Sequence, residues 1–131
     1  CLNRGLYYLK NNRGPDGIEL LKTSIIYYRK VIILQPDASN AFNNLGLAYL
    51  GLNKIQESIL AFRKAIELEP VIPFFHNNLG DAYFRLGNFS ESIREWKLAI
   101  ELKPEGLELE GSLFGDQRSI PEKIRDAERR Q

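Results

Sequence analysis

Between residues 39 and 104 the apolar and small residues fall at helical spacing in successive blocks, each closed by a chain breaker. Phe42, Leu45, Gly46 and Tyr49 share one face of a first helix that stops at Gly51-Leu52-Asn53. Ser58, Phe62 and Ala65 share one face of a second, which runs out at Pro70. The same order of residue types returns as His76, Leu79, Gly80 and Tyr83, then Ser92, Trp96, Ala99 and Pro104. Residues 39–72 laid over 73–106 at an offset of 34 agree at 15 positions, among them Asn43/Asn77, Asn44/Asn78, Leu45/Leu79 and Tyr49/Tyr83. Glycine and alanine at Gly46, Gly80, Ala65 and Ala99 let paired helices approach closely, and the aromatics fill the space between layers. Pro70 and Pro104 lack an amide proton and restrict the residue before them, which ends each second helix.

An altered copy precedes these two. Leu2 to Leu9 aligns with Asn43 to Leu50, and a helix from about Asp16 to Leu34 puts Ser24, Tyr28 and Val31 where the middle copy has Ser58, Phe62 and Ala65. It closes at Pro36. Seven more residues separate Leu9 from Pro36 than Leu50 from Pro70, a surplus that fits a loop around Asn11-Asn12-Arg13-Gly14-Pro15-Asp16-Gly17. Cys1 falls inside the first helix of this copy, which reads as truncated. After Pro104, three glycines (Gly106, Gly111, Gly115) punctuate a loop, and Ser119-Ile120-Pro121-Glu122 reads as a helix start. Ser119 suits the cap, Pro121 the first turn, and Glu122 the positive end of the helix. Ile120, Ile124 and Ala127 form a narrow apolar stripe, as expected of a helix that covers the last repeat.

A period of 34 with Leu-Gly, Tyr, a small residue, an aromatic, Ala and Pro at fixed places resembles the tetratricopeptide repeat. The resemblance implies an all-α, right-handed superhelix (an α-solenoid) of about two and a half to three helix–turn–helix repeats with a C-terminal capping helix. It divides a single domain, 1–131, into a truncated first repeat with a loop insertion (1–38), repeats at 39–72 and 73–106, and a loop and helix at 107–131. It also implies binding rather than catalysis.

Composition agrees. With 18 basic and 17 acidic residues the formal charge is +1, so no overall field favours nucleic acid. The longest apolar runs, such as Val31-Ile32-Ile33-Leu34, are far shorter than the roughly 18 residues a membrane helix needs. His76 is the sole histidine and sits where it packs between helices; one His and one Cys cannot build a structural zinc site. No phosphate loop is present, and Asp81 has no second carboxylate at a useful spacing. No enzyme activity, cofactor or metal is expected, and the expected location is cytoplasmic. Methionine is absent throughout, so the chain reads as processed or as a piece of something longer. Cys1 also matches the mature start of a bacterial lipoprotein, the alternative being a periplasmic or membrane-anchored protein.

In tetratricopeptide proteins the first helix of each repeat lines a concave surface. The resemblance therefore places Asn40, Asn43, Asn44, Leu47 and Leu50 there, with Phe74, Asn77, Asn78, Asp81, Phe84 and Arg85 from the next repeat and Leu2, Asn3, Leu6 and Leu9 from the first. Asn3, Asn44 and Asn78 occupy one repeat position, and an asparagine offers two donors and an acceptor, enough to hold a peptide amide by both ends. Such a row resembles the asparagine ladder in the tetratricopeptide superhelix of O-linked N-acetylglucosamine transferases. The basic clamp by which co-chaperones of this family hold a C-terminal carboxylate would need Lys or Arg at Leu2, Phe74 and Asn78, and it is missing. The expected function is a non-catalytic protein–protein interaction module that holds an extended peptide in its groove. Alternatives are a substrate-recruiting segment of a larger enzyme or assembly factor, and self-association through an uncovered end of the solenoid.

Overall fold

Proline and glycine punctuation sets most of the helix ends. The computed structural model describes residues 15–103 and 118–131, and these form helices with no strand among them. In chain order they are α1 (Pro15–Leu34), α2 (Ser39–Gly51), α3 (Ile55–Leu68), α4 (Pro73–Leu86), α5 (Phe89–Leu102) and α6 (Ile120–Arg130). The expected first helix of the first repeat, with Leu2, Asn3, Leu6 and Leu9, lies outside the described residues, as does the loop from Pro104 to Gln117. The helix expected from about Asp16 begins one residue earlier, at Pro15, so Pro15, Asp16 and Gly17, also counted toward the loop, lie in its first turn. A proline fits the first helical turn, where its missing amide costs no hydrogen bond, and Asp16 there meets the positive end of the helix.

The 34-residue period is visible in the packing. A methyl group placed on Gly46 would lie 2.5 Å from Cε1 of Phe62, and one on Gly80 2.5 Å from Cδ1 of Trp96. Each ring lies against the bare backbone of its partner helix, so the pairs α2–α3 and α4–α5 close by the same device. Gly46→Ala and Gly80→Ala are each expected to destabilise by about 1–3 kcal/mol, since neither ring can retreat in a filled core. Urea melts of the two variants check this. Ser24, Ser58 and Ser92 are fully buried at the repeat's small position, and each returns its hydroxyl to a carbonyl one turn back. The turn between paired helices needs a left-handed residue, supplied by Asn53 (φ 60°) in one repeat and Gly87 (φ 90°) at the equivalent place in the next.

The core is a series of layers. Leu21 and Ile25 of α1 pack with Leu45, Ala48 and Tyr49 of α2 and Ala61 of α3. Leu50, Ile59, Phe62, Leu79 and Ala82 join α2, α3 and α4. Ile93, Trp96 and Ala99 of α5 then meet Ile120, Ile124 and Ala127 of α6. Each helix packs mainly on its neighbours in sequence, the one-dimensional arrangement of a solenoid. The start of α6 is a full capping box: Ser119 Oγ accepts from the Glu122 amide, and Glu122 accepts from the Ser119 amide.

Candidate functional site

The first helices of the two complete repeats, α2 and α4, lie side by side, and the expected groove residues separate by burial. Asn40 and Phe74, equivalent positions one repeat apart, are both exposed, as is Arg85. Asn43, Asn44, Leu47 and Phe84 are half-buried. Leu50, Asn77, Asn78 and Asp81 are buried, which corrects the expectation that they form open surface.

The reasons are local. Leu50 is part of the core layer between repeats. Asn78 donates from Nδ2 to Asn43 Oδ1 at 2.9 Å, an amide pair that ties α4 to α2. Asn44 faces the Tyr28 side chain of α1; burial pushes the Tyr28 hydroxyl above its usual range, Tyr27 adds to this, and the Asn44 amide opposes it. Two rungs of the expected ladder thus lean partly on the preceding repeat, and the third, Asn3, lies outside the described residues. Arg85 reaches across to Leu50 O at 3.2 Å and Asn53 Oδ1 at 3.0 Å, bracing α4 against the end of α2.

At the far side of α4 the C-terminal helix covers the surface. Asn77 and Asp81 accept hydrogen bonds from Lys123 of α6 at 3.1 and 2.7 Å, and Phe84 lies 5.4 Å beneath the Arg130 guanidinium. Asp81 and Lys123 are wholly buried side chains, and Asp81 also accepts from Trp96 Nε1 at 3.1 Å. Sequence reasoning missed this cluster. The one signal was that Asp81 replaces Leu47 of the preceding repeat, a carboxylate where the pattern has an apolar residue.

His76 is the packing residue expected, and its surroundings explain the choice of histidine. Nδ1 lies 2.7 Å from Glu95 Oε2 and Nε2 lies 2.8 Å from the Pro70 carbonyl, both acceptors, so the ring satisfies both only when doubly protonated. The bond to Glu95 holds the imidazole pKa above its usual 6.5, against the opposing effect of burial, with help from Pro70 O. Because the folded-state pKa is raised, this stabilisation is fully present below the unfolded value and is lost as pH rises through the folded one. Melting temperature is therefore expected to fall as pH rises above the usual 6.5 and through the raised folded-state pKa, and His76→Gln to flatten that slope. Thermal melts across the range test it.

Among the described residues no group of His, Cys, Asp and Glu could hold a metal, and no helix is long and apolar enough to cross a membrane. A cleft of about 450 Å³ between α3 and α5, floored by Leu79 and Tyr83, carries Arg63 and Arg94 beside Glu67, Glu91 and Glu95. This mixture of signs selects no ligand class.

No curated protein sequence matches the chain. Among solved structures the fold is similar to the first tetratricopeptide domain of Spaghetti (RPAP3) bound to an HSP90 peptide, with TM-score 0.68 and 18% identity over 97% of this chain and 86% of that one. It is similar to the Yersinia enterocolitica type III secretion chaperone SycD in complex with a peptide of the translocator YopD, with TM-score 0.65 and 19% identity over 77% and 76% of the two chains. It also resembles part of a Thermobaculum terrenum O-GlcNAc transferase, with TM-score 0.62 and 23% identity over 80% of this chain, but spans only 20% of that one. At these identities the likeness is one of fold. Residues 39–70 and 73–105 each match a tetratricopeptide-repeat family model, and with the layered helix pairs above they show that this part of the chain is two tetratricopeptide repeats.

Proposed function

We propose that this protein is a non-catalytic interaction module that binds an extended peptide along the face formed by α2 and α4. The observation that carries the reading is the inter-repeat amide pair, Asn78 to Asn43 at 2.9 Å, flanked by the accessible Asn40 and Phe74. One N–H of Asn78 is used in that pair, and the half-buried Asn43 and Asn44 beside it offer amide groups to a peptide backbone. Phe74 and Leu47 would contact its side chains. Two of the similar folds, SycD and RPAP3, hold peptides in their structures, which supports a peptide as the partner class.

The test is selection of binding peptides from a random library displayed on phage, followed by titration of a selected peptide against wild type and Asn40→Ala/Asn44→Ala. Two amide hydrogen bonds at about 1 kcal/mol each predict roughly 10- to 30-fold weaker binding. Circular dichroism establishes equal helicity, and the buried Asn78–Asn43 pair is left intact. Equal affinities in two equally folded proteins would move the binding surface away from this face.

A further inference from the structure

The contact between α6 and the last repeat repeats the contact between the two complete repeats, with one change of chemistry. Where repeats meet, Asn43 of α2 accepts from Asn78 of α4. At the end of the array, Asn77, the residue equivalent to Asn43, accepts from Lys123 of α6 at 3.1 Å. α6 is therefore docked where a following repeat would place its first helix. The socket beneath Lys123 departs from the repeat pattern: Asp81 replaces Leu47 and Trp96 replaces Phe62. The ammonium lies 2.7 Å from Asp81 Oδ1 and 5.3 Å from the Trp96 ring centroid. Around it Ile120, Ile124 and Ala127 fill the apolar surface of Ile93, Trp96 and Ala99.

The socket is built for one kind of guest. A buried carboxylate requires a cation, the indole face favours one, and the surrounding surface requires an amphipathic helix to deliver it. The resident guest is weakly held by its own propensity. α6 has 11 residues, below the length at which isolated helices are stable in water, and its apolar contribution is three side chains. Few buried apolar contacts place such a segment toward the low end of local stability.

We propose that the end of the α4–α5 layer is an exchangeable docking site for a lysine-bearing amphipathic helix of a partner protein, with α6 as its resident occupant. This surface is separate from the α2–α4 face and does not depend on the asparagine reading. A guest helix presents the pattern of α6: a lysine flanked by aliphatic residues three to four positions apart, with polar residues on the opposite side.

The probe is a fluorescent peptide with the sequence of residues 118–131, titrated by anisotropy into the full chain and into its Lys123→Ala variant. The variant, its own helix loosened, is expected to bind the peptide at least about tenfold more tightly than wild type. A peptide carrying Lys123→Ala is expected to bind at least about tenfold more weakly than the native peptide. Absence of binding to either chain at millimolar concentration, with native helicity retained, overturns the proposal. So does equal binding of the two peptides. Should the variant chain fail to fold, hydrogen exchange on the wild type decides. Amides of α6 that exchange far faster than those of α4 and α5 support an exchangeable occupant, and exchange of all three at one common protection overturns it.

Discussion

Trp96→Ala is expected to be the most damaging single substitution in this protein, costing about 3–5 kcal/mol. The indole is fully buried and makes four contacts at once, three with α4 and one with α6. Its edge lies against the bare backbone of Gly80, its ring centroid is 5.7 Å from that of Phe84, its Nε1 donates to Asp81, and its face lies beneath the Lys123 ammonium. Truncation leaves a cavity that cannot collapse, because Gly80 has no side chain to move into it. A fall in melting temperature on the order of 10–20 °C follows. Trp96→Phe separates the contributions: Phe62 already fills the equivalent place against Gly46, so shape is nearly retained, and about 1–2 kcal/mol is lost with the donor to Asp81. Denaturant melts of the two variants check the ordering. A cost for Trp96→Ala no larger than for Trp96→Phe would show that packing against Gly80 is not what holds α4 to α5.

Lys123→Ala is the second large effect, about 3–5 kcal/mol if α6 stays docked, because it strands the Asp81 carboxylate in a site from which water is excluded. The loss is capped by the docking energy of α6 itself. Once that limit is passed the helix leaves and Asp81 regains water. The expected signature is therefore local, with α6 amides losing protection while α4 and α5 keep theirs. The double variant Lys123→Met/Asp81→Asn is expected to recover most of the loss. Asparagine still accepts from Trp96 Nε1, and methionine fills the lysine stem without bringing a charge. Farther along α6 a second charge cluster has the largely buried Asp126 facing the exposed guanidinium groups of Arg130 and Arg118, each at 3.0 Å. Those arginines, Arg130 first, hold the Asp126 carboxyl below its usual range, and because the arginines stay open to water the cluster contributes less than the fully buried pair.

Much of this fold could be read along the chain. The Gly46–Phe62 and Gly80–Trp96 contacts were implied by glycine and aromatic residues recurring at the same spacing, because only a bare backbone admits a ring that close. The extent of α1 was legible to within a residue from Pro15-Asp16 and Pro36, and the start of α6 from Ser119, Pro121 and Glu122, because caps and breakers act within one turn. These are short-range effects, carried by residues that meet the same backbone group wherever the rest of the chain goes.

The character of the candidate surface was not legible in the same way. Helical spacing placed Asn40, Asn43, Asn77, Asn78 and Asp81 on one side of their helices but could not say what would come to lie against them. The lysine partner of Asp81 is 42 residues away and the asparagine partner of Asn78 is 35 away. Neither pairing follows from any local rule, since each depends on how far one layer is displaced over the next. The local sequence thus determined the repeat, its helices and the close contacts within each pair, through backbone sterics and hydrogen bonding over a few residues. Only the stacking of layers decided which polar groups are satisfied inside the protein and which stay open to a ligand. Burial is a property of the assembled surface, and a side chain's exposure is set by whatever element the fold brings on top of it.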